Sequence, residues 1–328
     1  MSQKNPSGAR ISADVTAYHA GISAIDTHYV RPHLDASHLI VQNGRAAFVD
    51  TGTSHSVPLL LAALDQSGLS VSDVDYVLVT HVHLDHAGGA GHLMAACPEA
   101  TAVLHPRGAP HMADPAKLEA GSRAVYGDAQ FEKLYGEIRP IPEARIRTVA
   151  DDEVIEWAGR TLRFIHTEGH ARHHYCIVDE ASRGVFTGDS FGLSYRELDT
   201  EAGHFLFPTT TPVHFDPEAA HAAVDRILSF EPDWAFLTHY GRVPDPAGLA
   251  GQLHGDLDAF VHMAEAVAGA EDRTASLTEA MTRYLFGRLD EHGFDSDPQR
   301  RMEILGPDIN LNVQGLEVWL ARRNRAAR

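Results

Sequence analysis

Two regimes of hydrophobic patterning divide the chain. Up to Gly241 the apolar runs are mostly short and end at Gly, Pro, Asn or Asp. Beyond it, apolar residues recur at helical spacing. In the first regime, Ser37 to Val41 and Ala46 to Val49 predict two strands about Asn43-Gly44, a strong hairpin signal. Val57, Leu60, Leu61 and Leu64 predict one face of a helix ended by Gly68. The run Val74, Tyr76, Val77, Leu78, Val79 predicts a buried strand. A helix over Ala90 to Ala96 stops before Pro98, and Thr101 to Leu104, Arg145 to Val149, Val154 to Trp157 and Thr161 to His166 predict further strands. Residues 105–140 read as helical pieces broken by Pro106, Pro110 and Pro115. Asp216-Pro217-Glu218 has the form of a helix start, followed by the stripe Ala220, Ala223, Val224, Ile227, Leu228 and a stop at Pro232.

Past Gly241, Pro244 and Pro246 predict a linker, and three apolar stripes follow. Leu253, Leu257, Phe260, Val261, Ala264 and Val267 form the first, Leu277, Met281, Tyr284 and Leu285 the second, and Ile309, Val313, Leu316 and Leu320 the third. The expected organisation is a disordered lead over 1–10, an α/β domain over 11–244 and a helical extension over 245–328. The stripes need burial on their own domain or on a second subunit, so a homodimer is one expected partner arrangement. Between Asp189 and Asp216 lies a long stretch without regular pattern that carries Phe191, Tyr195, Phe205, Phe207 and Phe215. Long loops in compact domains are usually functional. Two readings stay open: the aromatics wall a pocket for an apolar group, or they dock onto the C-terminal helices.

Composition narrows the function classes. In 328 residues there are 45 acidic and 27 basic side chains, a formal charge of −18, and the lysines are Lys4, Lys117 and Lys133 alone. Such a charge repels polyanions, which argues against nucleic acid and anionic membranes as partners. Cys97 and Cys176 define no disulfide framework and read as small buried hydrophobes. The N-terminus lacks a signal-peptide core and no run reaches the ~20 apolar residues that span a bilayer, so the expectation is a soluble cytoplasmic protein.

Chemistry concentrates in Val79-Thr80-His81-Val82-His83-Leu84-Asp85-His86-Ala87-Gly88-Gly89. Potential metal ligands at this density, after a buried strand and before a glycine pair, belong to a tight loop at a strand end. A helix would scatter His81, His83 and Asp85 around its surface, and a strand would send Asp85 and His86 to opposite faces. Imidazole with carboxylate suits zinc or iron better than calcium or magnesium.

His-x-His-x-Asp-His after a hydrophobic strand resembles the signature of the metallo-β-lactamase superfamily. Three later motifs stand in that family's order: Thr167-Glu168-Gly169-His170, Val185-Phe186-Thr187-Gly188-Asp189-Ser190, and Trp234-Ala235-Phe236-Leu237-Thr238-His239-Tyr240-Gly241. The resemblance covers roughly Val15 to Gly241. It implies an αββα sandwich, here with a helical appendage, and a binuclear centre of two zinc ions, with iron or manganese as substitutes. By that resemblance His81, His83 and His170 hold one ion, Asp85, His86 and His239 hold the other, and Asp189 bridges them. Asp50 resembles the family's aspartate beneath the site, which holds ligand loops by hydrogen bonds. His174 matches the spacing of a second histidine in the glyoxalase II branch, where it orients a loop. His105 and His111 match no family position and are expected to be exposed or capping residues.

The implied activity is hydrolysis of a small ester, thioester, lactone or phosphoester by a hydroxide shared between the metals, with Asp85 directing it. His174 and Tyr195 are the candidates for protonating the leaving group. Asp189 speaks against a dedicated β-lactamase, His83 against the flavodiiron branch, and the lysine-poor tail against a strict glyoxalase II. Two other readings remain: a mononuclear iron oxygenase of the persulfide dioxygenase kind, and a non-catalytic ligand sensor. The tail, with Phe205, Phe207 and Tyr195, is expected to select a small, largely apolar substrate.

Overall fold

The computed structural model describes residues 11–326. The expected disordered lead over 1–10 lies outside the described residues. Two sheets dominate the first part of the chain. The seven-stranded sheet runs in sequence order: β1 (Val15–Ala17), β2 (Ile22–Asp26), β3 (Ala36–Gln42), β4 (Arg45–Val49), β5 (Val74–Leu78), β6 (Thr101–Leu104) and β7 (Ile146–Thr148). Strands β8 (Glu153–Trp157), β9 (Arg160–His166), β10 (Tyr175–Asp179), β11 (Gly184–Gly188), β12 (Trp234–Leu237) and β13 (Gly241–Pro244) form the second, ordered β13-β12-β11-β10-β9-β8.

The predicted hairpin is present. Gln42 pairs with Arg45 across Asn43 and Gly44, and both turn residues have positive φ, +49° and +76°, as a two-residue turn of this hand requires. From β4 to β7 the pairing is parallel, so each crossover needs a longer connection. The helices α1 (Val57–Gln66), α2 (Leu84–Ala87), α3 (Ala90–Ala96), α4 (Ala109–Ala113), α5 (Ala116–Tyr126) and α6 (Asp128–Leu134) lie in these connections.

Alternation along the strands sorts side chains to two cores. Ile25, Leu39, Phe48 and Val77 face Leu60 and Leu64 of α1 and Leu93 and Met94 of α3. Their neighbours Ile22, Ile40, Ala47, Val49 and Leu78 face Phe164, Tyr175, Ile177, Phe186 and Phe236 of the second sheet. Covered on both sides, β4 and β5 read as near-continuous apolar runs, which is why they were visible in the sequence. Cys97 and Cys176 are both buried, as expected of small hydrophobes.

The chain forms two compact units, and their division differs from a break at 244. The sandwich unit comprises the chain to His166 with His173–Gly188 and Trp234–Arg242. The helical unit comprises Thr167–Arg172, Asp189–Asp233 and Val243–Arg328. It holds α7 (Pro217–Leu228), α8 (Pro246–Ala266), α9 (Arg273–Glu291) and α10 (Pro298–Ala326). Of the predicted stripes, Leu253, Leu257, Phe260 and Ala264, then Leu277, Met281 and Leu285, then Ile309, Val313, Leu316 and Leu320 are buried, whereas Val261, Val267 and Tyr284 are half-buried; Leu289, outside the prediction, is buried with the second stripe.

One expectation needs correction here, and one open choice is decided. Pro244 and Pro246 make no linker: Pro244 ends β13 and Pro246 opens α8, where its missing N–H is no loss and the Asp245 carboxylate accepts from Gly248 N. The aromatic stretch after Asp189 docks onto the C-terminal helices. Phe205 and Phe207 are buried. Phe205 packs edge-on against His292 beneath the Arg288 guanidinium, and Phe207 packs on Tyr195. Burying rings of this size is worth more than exposing them at a pocket wall.

Candidate metal centre

In the sandwich unit, the loop after β5 presents His81, His83, Asp85 and His86 from a short path between strand and helix. Val79 N still donates to Val103 O, as if the strand continued, and Thr80 N then turns to Asp50 Oδ1 at 2.8 Å. His83 begins α2: its carbonyl accepts from Ala87 N and His86 N, so Asp85 and His86 leave the first helical turn side by side. The glycine pair is required. A Cβ on Gly88 would lie 2.3 Å from Leu84 O, and one on Gly89 would lie 2.7 Å from Thr53 O.

Asp50 organises this loop. Wholly buried, its Oδ1 accepts from Thr80 N and Thr80 Oγ1, and its Oδ2 accepts from Thr80 Oγ1, His86 Nδ1 and Thr238 Oγ1, all at 2.8–2.9 Å. The expected role for Asp50 matches this geometry, and Thr238 shows that the hub also reaches the segment bearing His239. Because a carboxylate only accepts, the His86 proton sits on Nδ1 and its lone pair on Nε2. His239 is set the same way, with Nδ1 donating to Leu34 O at 2.9 Å. Both Nε2 atoms then point toward Asp85 Oδ2, at 4.0 Å from His86 and 3.6 Å from His239. The ligand atoms of Asp85, His86 and His239 lie within 4.8 Å of one another, a donor set that fits a borderline transition-metal ion.

His81 and His83 meet with Nε2 and Nδ1 2.9 Å apart. His174 is buried, its ring stacked on His81 at 4.8 Å. Gly188 makes room for it, since a Cβ there would lie 2.6 Å from His174 Nε2. His173 lies nearby and its Nδ1 accepts from Val82 N. His105, expected to be exposed or capping, is neither: it is 4 % exposed, its Nδ1 accepts from Arg107 N within the turn ahead of α4, whose N-cap is Gly108, and burial holds its pKa down at about 4.

In the helical unit, His170 Nε2 lies 3.4 Å from Asp189 Oδ2. Gly169, at φ +129°, lets the turn before His170 press onto α7, where a Cβ would come within 2.5 Å of Ala220 backbone. Asp216 N donates to Gly169 O, and Ser190 Oγ donates to the Thr167 carbonyl and hydroxyl, so the turns of His170 and Asp189 are sewn to one helix start. His170 and Asp189 border a small cleft whose apolar wall includes Ala220 and Ala223 of α7 and Leu253 and Leu257 of α8.

Tyr195 is placed elsewhere than expected. It is buried, does not border that pocket, and donates its hydroxyl proton to Asp308 of α10 at 3.0 Å. Its proton is committed to a carboxylate that packs the tail.

Several residues near the metal loop carried no sequence signal. Leu84 packs with Phe131, Tyr135 and Ile138, with Tyr29 and Tyr126 against them. Tyr29 Oη donates to Tyr135 Oη at 3.1 Å. Burial first, and the charge of Asp85 among the further causes, hold both phenols well above the usual tyrosine range. Asp35, next to Leu34, is pushed up to about 7 by burial, while Thr27 Oγ1 donates to it. Tyr29 and Tyr135 are 106 positions apart, and no spacing rule links them.

A mixed α/β fold with two sheets and a histidine–aspartate cluster at the strand ends defines a metal-binding class. The chain belongs to the metallo-beta-lactamase superfamily, whose family model matches residues 31–239. That family typically binds metals and consists mostly of hydrolases. A metallo-beta-lactamase fold-containing protein of Sulfurisphaera tokodaii is 26% identical over 217 residues, covering 65% of this chain and 75% of its own. A lactamase-like protein of Emericella nidulans is 30% identical over 162 residues, 49% of this chain and 41% of its own. An atrochrysone carboxyl ACP thioesterase of Aspergillus fumigatus is 28% identical over 117 residues, 36% of this chain and 27% of its own. The chain thus spans less than half the length of these fungal relatives. Among solved structures, a metallo-beta-lactamase family protein from Thermus thermophilus superposes with a TM-score of 0.65 at 20% identity, covering 93% of this chain and 94% of that one. The fold extends over nearly the whole chain, helical unit included. No helix among the described residues is long and apolar enough to cross a membrane.

Proposed function

We propose that the chain is a binuclear metal-dependent hydrolase of a small acyl ester or thioester, with lactones and phosphoesters as further substrates. The observation that supports it most is the presentation of His86 and His239: each has Nδ1 held by a fixed acceptor, and each turns Nε2 toward Asp85. His81, His83 and His170 would hold one ion, Asp85, His86 and His239 the other, and Asp189 both. Zinc is the first expectation, with iron or manganese as substitutes. When bound, two such ions supply Lewis acidity and lower the pKa of a coordinated water.

The chain's own groups do the rest. Asp50 fixes the His86 tautomer and ties the Thr80 and Thr238 segments together, which keeps ligand positions from drifting. Asp85 offers an acceptor beside both Nε2 atoms, suited to orienting the attacking water. His174 braces His81 by stacking, and we assign it positioning. Tyr195 receives no catalytic step. The pocket beside His170 and Asp189, with Leu253 and Leu257 in its wall, suits an apolar acyl portion. The thioesterase among the relatives makes an acyl thioester the first substrate to try. A small-molecule substrate, a cytoplasmic site of action and no nucleic-acid partner complete the reading.

The test is metal analysis of the purified chain with a panel of chromogenic esters, thioesters, lactones and phosphoesters. Two zinc ions per chain and turnover lost in His83→Ala are expected. One iron per chain with thiol-dependent oxygen uptake would replace hydrolysis by the oxygenase, and tight binding without turnover would make the chain a sensor.

A further inference from the structure

Within the helical unit, α7 and α8 bring His221 and His254 edge to edge, nitrogen facing nitrogen. Their rings are parallel to within 8°, with centroids 4.9 Å apart, and their Nδ1 atoms lie 2.6 Å apart. The outer nitrogens meet carboxylates of the opposite helix. His221 Nε2 lies 3.2 Å from Asp258 Oδ1, and His254 Nε2 lies 3.2 Å from Asp225 Oδ1. Each helix therefore carries the same pair, a histidine and an aspartate four positions later, and the pairs are crossed.

Hydrogen-bonding chemistry constrains the protons here. An ionised carboxylate accepts only, so each ring keeps its proton on Nε2 and directs Nδ1 at its neighbour. Two nitrogen lone pairs aimed at one point admit one proton between them, or one cation in its place. Two aspartates and two neutral imidazoles sum to −2. A shared proton leaves −1, whereas a divalent ion brings the group to zero. Histidines held by carboxylates on the far nitrogen are also how metal-binding imidazoles are normally oriented.

We propose that His221 and His254 form a second transition-metal site, formed by other residues than the catalytic cluster, with Asp225 and Asp258 as outer acceptors. The ion is a divalent one that imidazole suits, namely zinc, nickel or copper. On binding, the proton between the rings leaves to solvent, both Nδ1 lone pairs bond the ion without change of oxidation state, and water fills the other positions. Zinc–nitrogen bonds of about 2.0–2.1 Å at a tetrahedral angle put the nitrogens roughly 3.3 Å apart, so the rings need open only by ~0.7 Å. Both histidine side chains are 27% exposed, which leaves an entry path and room for that opening. The same two helices give Ala220, Ala223, Leu253 and Leu257 to the pocket wall. An ion here would clip α7 to α8.

The experiment titrates zinc, and separately copper(II), into the fully metal-loaded chain by calorimetry. Wild type is expected to take one ion more per chain than His221→Gln or His254→Gln, while both variants keep the loaded chain's turnover. The extra copper should show nitrogen hyperfine structure from two imidazoles. Asp258→Asn, which keeps both ligands, should weaken the extra ion by about 10–100-fold through loss of the outer acceptor, and it serves if a histidine variant folds poorly. Equal ion counts in wild type and His254→Gln, or no extra ion in wild type, would overturn the site. Neither result bears on the catalytic metals, which His83→Ala reports.

Discussion

Asp50 of the sandwich unit and Asn312 of the helical unit are both buried polar side chains that tie distant segments together, and they do so with opposite demands. Asp50 is a charge that accepts from backbone, hydroxyl and imidazole donors, so it sets not only position but protonation, fixing His86 with its lone pair outward. Asn312 is neutral. Its Oδ1 accepts from Thr210 N and Thr210 Oγ1, and its Nδ2 donates to Pro208 O, so it holds a backbone path and nothing titrates. A buried charge with full partners is costly to disturb from either side, whereas a buried amide costs only its own hydrogen bonds. Chemistry should therefore be most sensitive at the first hub, and pocket shape at the second.

The largest effect expected is for Asp50→Asn. An amide would point N–H groups at donors that need an acceptor, and we expect a loss of about 3–5 kcal/mol in stability. Metal affinity should fall about 10–100-fold with it. Unchanged metal content and thermal midpoint would show the hub to be dispensable. Asp189→Ala should leave folding nearly intact and reduce turnover by on the order of 100-fold or more, the scale of an electrostatic group at a reacting centre. If it kept both metals and normal rates, Asp189 would be a turn residue.

The sandwich core also holds His38, packed edge-on against the stacked rings of Phe186 and Phe236 and held down to about pKa 4 by burial. Its folded pKa lies below the unfolded value of about 6.5, so as pH falls from 6.5 toward 4 the unfolded chain takes up the proton first. Stability should decline over that window by up to about 3 kcal/mol. Urea unfolding of wild type and His38→Phe across it should diverge, and parallel pH curves would remove His38 from the account.

Smaller effects belong to the helical unit. Asn312→Ala should cost about 1–3 kcal/mol by stranding Thr210 N and Pro208 O, with metal content unchanged but substrate preference altered, since Pro208 and Thr209 border the pocket. A lowered metal count would instead mean that the two hubs are not separable. Tyr195→Phe should be the mildest, about 1 kcal/mol with turnover unchanged. A collapse of turnover there would restore Tyr195 as a proton donor and undo its assignment to Asp308.

Local pattern alone determined a good deal. The loop from His81 to His86 is short, follows a buried strand and ends in two glycines, so its ligand character follows from a few adjacent residues. The hairpin at Asn43-Gly44, the helix start at Asp216 and the three tail stripes are likewise local, because turn geometry and a period of 3.6 are properties of neighbouring positions. The turns at His170, Asp189 and His239 were legible because each follows a recognisable strand in a known order. What only the tertiary structure decided are pairings over long separations. Thr238 meets Asp50 across 188 positions, Tyr195 meets Asp308 across 113, and Tyr29 meets Tyr135 across 106. Whether an aromatic stretch lines a pocket or fills a core depends on which surface reaches it first, and that is set by the packing of α8, α9 and α10. His221 and His254 are ordinary helix residues until two helices place them 2.6 Å apart, a distance no one-dimensional period encodes.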